Sequence, residues 1–372
     1  MTTDAQRSDT GVPDQGLYSA QPVFTVDGDK QPSLADALIE LEIFDDTEGM
    51  MRVEARFENW GHPPGGGGDS DFMFFDGGVI AFGKKIQIDV GPKDASQTVF
   101  TGRITQIGAR FGLSTVPEIS ISAEDALQFF RMTRRTRTYE DVSDADVAST
   151  LASAHQLQAD ADAPGPTHKV LVQLGQTDLA FLRERARAID AQLWVDNDTL
   201  KFKARSARDG GDITLTRGAT LTRFSVIADL THQVATVKAH GYDVGGKDDP
   251  DEEAASSLLS SEARGAKVGA DVMQQAFGSR TEHVVDRALA SNDEARSYAE
   301  AELKRRGRAF VRCRGETEGT AALKIGSRLA IGGVGPVFTG TYVATQVRHR
   351  YDREHGFRTL FEAERPAVGE ES

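Results

Sequence analysis

The segment Met51–Glu58 alternates without a break. Met51, Val53, Ala55 and Phe57 fall on one side, and Arg52, Glu54, Arg56 and Glu58 on the other. A regular backbone sorts side chains this way only at period two, so the segment predicts a half-buried strand. Ala37–Ile43 repeats the pattern, with Ile39, Leu41 and Ile43 opposed to Glu40 and Glu42. Lys85–Val90, Thr98–Ile107 and Glu118–Ser122 continue it. Between them, His62–Gly68 (two prolines, then four glycines) must be loop. Short strands joined by turn residues predict an antiparallel barrel or sandwich over about residues 17–124, behind a polar leader expected to be disordered over 1–16.

Near residue 125 the period changes. Ser143 with Asp146 is a variant capping box, and Val147, Leu151 and Ala154 then share a helical face. A second helix opens at Thr177 with the stripe Leu179, Leu182, Ala186 and Ile189. Gln192–Val195 and Leu200–Lys203 flank Asp196-Asn197-Asp198 as a hairpin. Residues 125–205 therefore read as a small α/β domain. Strand signals resume over 212–227 and 233–241. The stretch 244–280, with the charge run Asp248–Glu253, shows no apolar period and predicts an acidic, solvated insertion. Ser291 and Glu294 cap a helix that runs to about Arg306, with Ala295, Tyr298, Ala299 and Leu303 on one face. Strands at 309–314, 328–331, 340–351 and 356–364 complete a second β domain over 206–366, and 367–372 is a polar tail. The fold class is mainly β with α+β parts: two barrel-like β domains and a small α/β domain.

At 372 residues the chain has room for such a division. Its net charge of −14 argues against nucleic-acid recognition and against an anionic membrane surface, because both need clustered Lys and Arg. A short basic run, Arg131, Arg134, Arg135 and Arg137, predicts a solvated or partner-facing segment. The polar start, without the apolar stretch of a signal peptide, and the lack of any membrane-length apolar run predict a protein made and assembled in the cytoplasm, with no membrane insertion. The single cysteine, Cys313, reads as a buried strand residue.

No motif carries chemistry. His349, Asp352 and His355 sit on a strand and turn, where metal ligands three apart do not converge, and His62 lies in the Gly-rich loop without an HExxH pattern nearby. There is no nucleophile elbow. Gly332-Gly333-Val334-Gly335 runs into Pro336 and a strand, whereas a dinucleotide fingerprint needs a helix there. The expectation is a non-enzyme with no cofactor, metal or catalytic residue.

Two segments carry a resemblance. The first is Gly175–Ala186 followed by Ala191–Val195 and Leu200–Phe202; it includes Phe181, Leu182 and Trp194. The second runs from Ser291 to Pro366 and includes Leu323–Gly326 and Gly335–His349, with Gly335, Phe338, Gly340, Tyr342 and His349 among its residues. Together they resemble the phage late control gene D family, which includes baseplate hubs of contractile tails and the hub portion of valine-glycine-repeat spike proteins of type VI secretion. The resemblance implies a homotrimer that adapts a sixfold inner tube to a threefold spike, with other baseplate proteins as further partners. It also implies two β domains of one topology. The family's spike proteins continue past the hub, so a chain stopping at Ser372 implies a separate spike protein. Gly326, Gly335 and Gly340 permit turns, Phe338 and Tyr342 supply apolar bulk, and His349 shares a face with Val347 and Tyr351. The main rival is a carbohydrate-binding or adhesive β module; a cell-wall hydrolase hidden among the carboxylates is the second.

Overall fold

A computed structural model describes residues 21–62, 71–91, 96–242, 247, 249–285 and 289–371. The expected leader 1–16 and the loop residues 63–68 lie outside these. The chain is mainly β with α+β parts, built around a 13-stranded sheet that does not close on itself.

Twelve strands organise that sheet. The first β unit contains β1 (Val23–Val26), β2 (Leu38–Asp46), β3 (Arg52–Glu58), β4 (Lys85–Val90), β5 (Gln97–Gly112) and β6 (Thr115–Glu124). The second contains β7 (Asp212–Thr216), β8 (Leu221–Ala228), β9 (Val311–Glu318), β10 (Arg328–Gly332), β11 (Gly340–Asp352) and β12 (Gly356–Arg365). Across the first unit the order is β2-β3-β6-β5-β4-β1; across the second it is β8-β9-β12-β11-β10-β7. These are the same path. Two bulges coincide as well: β2 slips against β3 between Leu38 and Glu40 as β8 slips against β9 between Leu221 and Arg223, and β5 slips against β6 at Thr105 as β11 slips against β12 at Thr345; the first unit has further slips at Ile88/Asp89 and Arg110/Gly112 that the second lacks. One pairing differs, since β1 lies antiparallel to β4 while β7 lies parallel to β10. Antiparallel pairing of β11 with β2 joins the units.

Alternation explains the cores. Val53, Ala55 and Phe57 point into a first-unit core with Phe24, Phe100 and Ile121. Cys313, Tyr342, Val347 and Phe361 fill the second. Between the units in sequence, helices Asp144–Ala154 and Asp178–Ala188 pack with the three-stranded sheet formed by residues 158–161, 191–196 and 199–204. Ser143 accepts from the Asp146 amide and Asp146 from the Ser143 amide, so the expected capping box is present.

Several expectations need correction. The run 212–227 is two strands, broken by a turn at Arg217–Thr220, and the first lies parallel to β10. The acidic stretch is not a solvated loop where it is described. Asp251–Ala255 pairs with Thr236–His240, and Gly269–Phe277 is a helix that buries Met273. Its elements are short, and their inward residues are alanines (Ala254, Ala263, Ala270) with single larger ones (Leu259, Val268, Met273) at no fixed spacing, so no apolar period is visible amid the charge. With the helix Asn292–Arg308 they form an inserted body between β8 and β9. The tail is also docked: Ala367–Val368 pairs with Lys267–Val268, and Ala367 is fully buried.

Candidate assembly surface

The two long hairpins end differently. In the second unit, β11 and β12 project past their own core and lie on the first unit. β11 pairs with β2 from Gln346 opposite Asp46 to Asp352 opposite Glu40. Tyr351 and Phe357 are buried in the first-unit core. At the tip, Arg353 donates from Nε to the Leu38 carbonyl (2.7 Å) and from Nη2 to the Asp36 carbonyl (3.2 Å).

The matching hairpin of the first unit, β5 and β6, projects into solvent. Phe111 is 62% exposed and Leu113 entirely so. Phe111 belongs to an exposed aromatic group with Trp60, Phe72 and Phe75, whose ring centroids are 5.0–6.1 Å apart. At the far end of the sheet, β8 pairs only with β9 among the described residues, and Ile227 on it is 57% exposed. Exposed aromatics in mutual contact and an uncovered strand edge both mark association surfaces.

Sequence reasoning missed the signal that links these features. Thr105-Gln106 recurs as Thr345-Gln346 at the bulge that β5 and β11 share. The strand pairing aligns Ala109 with His349 and Arg110 with Arg350; counted on past a bulge that β5 has between Arg110 and Gly112 and β11 lacks, Phe111 falls at the place of Tyr351 and Leu113 at that of Arg353.

The residues singled out by the resemblance do not converge on one site. Phe181 and Leu182 are core residues of the helix Asp178–Ala188, and Trp194 lies beneath the Arg208 guanidinium, 5.0 Å from its ring centroid. Gly326 adopts φ +81°, and a Cβ there would run into the Arg208 carbonyl oxygen. Gly335 lies in the connection between β10 and β11. Gly340 opens β11 against the Arg365 guanidinium. Tyr342 is buried and donates to the Phe338 carbonyl (2.7 Å), with Phe338 packed beside it. His349 is buried against Phe357, with Nδ1 3.1 Å from the Thr359 hydroxyl; burial, aided by Lys324, pushes its pKa down to about 4.

Of the basic run, Arg131 ends the short helix Gln128–Arg131, and Arg134, Arg135 and Arg137 lie on a two-stranded ribbon, Arg134–Ser143 paired with Thr167–Thr177. Arg135 faces Asp178 and Arg137 lies over Tyr139, while the opposite face leaves Val170, Val172 and Leu174 exposed. Beneath the ribbon, buried His168 contacts Asp144 and Glu294, and Arg185 donates to Asp144. Burial opposes charge on His168, but its two carboxylate partners outweigh burial and raise its pKa. This clasp ties the small unit to the helix Asn292–Arg308. Burial also pushes the Cys313 thiol up to about 12, which suits a packed residue and not a nucleophile. No three His, Cys, Asp or Glu side chains converge as metal ligands among the described residues, and no helix there is long and apolar enough to cross a membrane.

No curated protein matches the chain. Its fold is similar to that of the prophage MuSo2 43 kDa tail protein from Shewanella oneidensis, at TM-score 0.66 and 11% identity, covering 93% of this chain and 98% of that one. It is similar also to a tail protein from Neisseria meningitidis MC58, at TM-score 0.64 and 13% identity, covering 95% and 98%. A third likeness is to the E. coli c3393 protein, a component of the type VI secretion system, at TM-score 0.57 and 13% identity, covering 90% and 76%. At these identities the likeness is one of fold. Residues 65–353, most of the chain, match the family described as the Alg8 N-terminal domain, and the chain belongs to that family.

Proposed function

We propose that the chain is a structural baseplate hub of a contractile phage tail or contractile injection system. It acts as a homotrimeric adaptor between a sixfold inner tube and a threefold spike, it is related to the late control gene D proteins, and it is not an enzyme. The observation that carries this reading is the duplicated β unit. Three copies of a chain with two like units offer six similar positions on one side and three on the other, which is what joining two such symmetries requires. The end-to-end likeness of fold to tail proteins of similar size supports it. In this reading the β domains span about 17–124 and 206–366 and the small domain 125–205. The partners are the inner tube protein, a spike protein and other baseplate proteins, assembled in the cytoplasm into a particle. The four exposed aromatic rings favour a protein partner over a sugar: Trp60 and Phe111 both meet Phe72 nearly edge-on, at 85° and 87°, instead of lying side by side as one stacking platform.

Deleting the gene tests the proposal. Electron micrographs of purified particles should then lose assembled baseplates, and quantitative mass spectrometry of wild-type particles should find the chain equimolar with the spike. Intact particles without the chain would overturn it.

A further inference from the structure

We propose that the inserted body between β8 and β9 carries a surface site for one divalent transition ion of the zinc type, held by His240 and His283, with Asp251 behind His240. The site goes beyond the hub reading and does not depend on it. The body's three-stranded sheet has Thr236–His240 at its centre, Asp251–Ala255 antiparallel on one side and Thr281–Val284 parallel on the other. Val237 and Ala239 are fully buried against the helix Asn292–Arg308, so Lys238 and His240 fall on the opposite, open face. The register sets Lys238 between Glu253 and His283, and His240 opposite Asp251. His240 and His283 are therefore diagonal neighbours. His240 Nε2 lies 3.4 Å from His283 Nδ1, with the ring planes 5° apart and the centroids 5.6 Å apart. At those distances the rings meet edge to edge, nitrogen facing nitrogen, and not face to face.

The spacing favours an ion over a direct hydrogen bond. An N–H donor usually sits roughly 2.7–3.2 Å from its acceptor, and 3.4 Å is longer. Two nitrogens bound at about 2.05 Å to a tetrahedral ion stand about 3.3 Å apart, whereas the right angle of a square-planar ion would bring them to about 2.9 Å. Both rings project from the open face, so each can turn its lone pair onto a shared point. The Asp251 carboxylate stands 3.1 Å from His240 Nδ1. It keeps the proton on that nitrogen and leaves Nε2 bare, as carboxylates behind metal-bound imidazoles do. Lys238, the cation beside the pair, is held by Glu253 at 3.1 Å, which leaves the Asp251 charge to favour a cation. With two protein ligands, water completes the coordination and the ion binds reversibly. It ties Thr281–Val284, which is paired along one edge only among the described residues, to the strand beside it.

Calorimetric titration of ZnCl2 into the tag-free full chain tests the site. One saturable site is expected, abolished in His240→Ala and in His283→Ala. Asp251→Asn keeps both ligands and should weaken binding by about tenfold or more. His355→Ala, whose ring is held by Asp352 on another turn, should leave the site unchanged. Excess CaCl2 should not displace zinc, because calcium takes oxygen ligands and not imidazoles. Both histidines lie on the open face, so the alanine variants should fold as the parent does by circular dichroism; where one does not, the glutamine variant takes its place. No saturable zinc binding, binding retained by either histidine variant, or displacement by calcium would each overturn the proposal.

Discussion

The two β units share a strand order, but one hairpin ends inside the molecule and the other outside it. Tyr351 and Phe111 occupy matching positions; the first is 6% exposed and the second 62%. The neighbouring tip residues differ in kind. The docked hairpin carries Arg353, whose guanidinium satisfies two backbone carbonyls of the first unit. The free hairpin carries Leu113, which has no polar reach and gains only by leaving water. A charged tip suits a contact made once, during folding of a single chain. An apolar tip beside an aromatic cluster suits a contact that is made later, by association.

The comparison can be broken most directly by truncating the matched aromatics. Tyr351→Ala should cost about 3–5 kcal/mol in urea unfolding, as for other buried aromatics. Phe111→Ala should change the monomer by less than about 0.5 kcal/mol. Equal losses would mean that the isolated chain already buries Phe111. The acid response should separate the units next. His349 is neutral in the fold, with a pKa of about 4 against 6.5 in an unfolded chain. Its contribution is therefore complete above pH 6.5 and declines as the pH falls towards 4, by up to about 3 kcal/mol. At Asp125, the residue after β6, whose carboxyl accepts from the Met51 amide of the first unit, the sign is reversed. Burial holds the Asp125 pKa at about 7, against the hydrogen bonds from the Met51 and Leu127 amides, and its unfolded value is 3.8. Its contribution is complete below 3.8 and is lost as the pH rises to 7. Hydrogen exchange between pH 4 and 7, corrected for intrinsic rates, should show opposite trends in the two units. His349→Gln should flatten one and Asp125→Asn the other, and parallel trends in the unmodified chain would defeat the assignment.

Smaller effects sharpen the same pairing. Gly83 and Gly326 stand at matching turns, with φ +79° and +81°. Gly83→Ala meets no atom within 4 Å and should cost about 1–2 kcal/mol for the left-handed backbone alone. Gly326→Ala adds the collision with the Arg208 carbonyl and should cost more; equal losses would show that the second turn can relax. At the tips, Arg353→Ala should lower monomer stability by about 1–3 kcal/mol, since it removes charge-assisted hydrogen bonds. Leu113→Ala should leave the thermal midpoint of the monomer unchanged while weakening association, and a drop in that midpoint would place Leu113 in a contact within the chain.

What the sequence made legible follows from burial. Strands with one wet face, such as Met51–Glu58, announce themselves by alternation, and β3 was found there within a residue. Caps were equally readable, because Ser143 and Ser291 do their work locally. The ribbon strand Arg134–Ser143 is not, since Tyr139 is its one buried residue and no alternation results. Nor was Asp251–Ala255, whose only inward residue is Ala254. The assembly surface was hidden for another reason. Phe111 and, in the turn beyond it, Leu113 continue the spacing of Ile107 and Ala109, and nothing local distinguishes an apolar residue bound for a core from one left in water. Of the duplication the sequence repeats in register only the Thr-Gln at the shared bulge, too short a match to stand out, because the two units fill like backbones with unlike side chains, Gly102 standing where Tyr342 does.

The inserted body between β8 and β9 has a consequence of its own. Only the second unit carries it; the first has a tight turn, Thr47–Met51, at the matching place. Any arrangement that treats the two units as interchangeable therefore still bears marks at every other station, like numerals on alternate hours of a dial. A partner with half the rotational order has landmarks by which to choose its phase, and one of the full order can ignore them if it approaches from the unmarked rim.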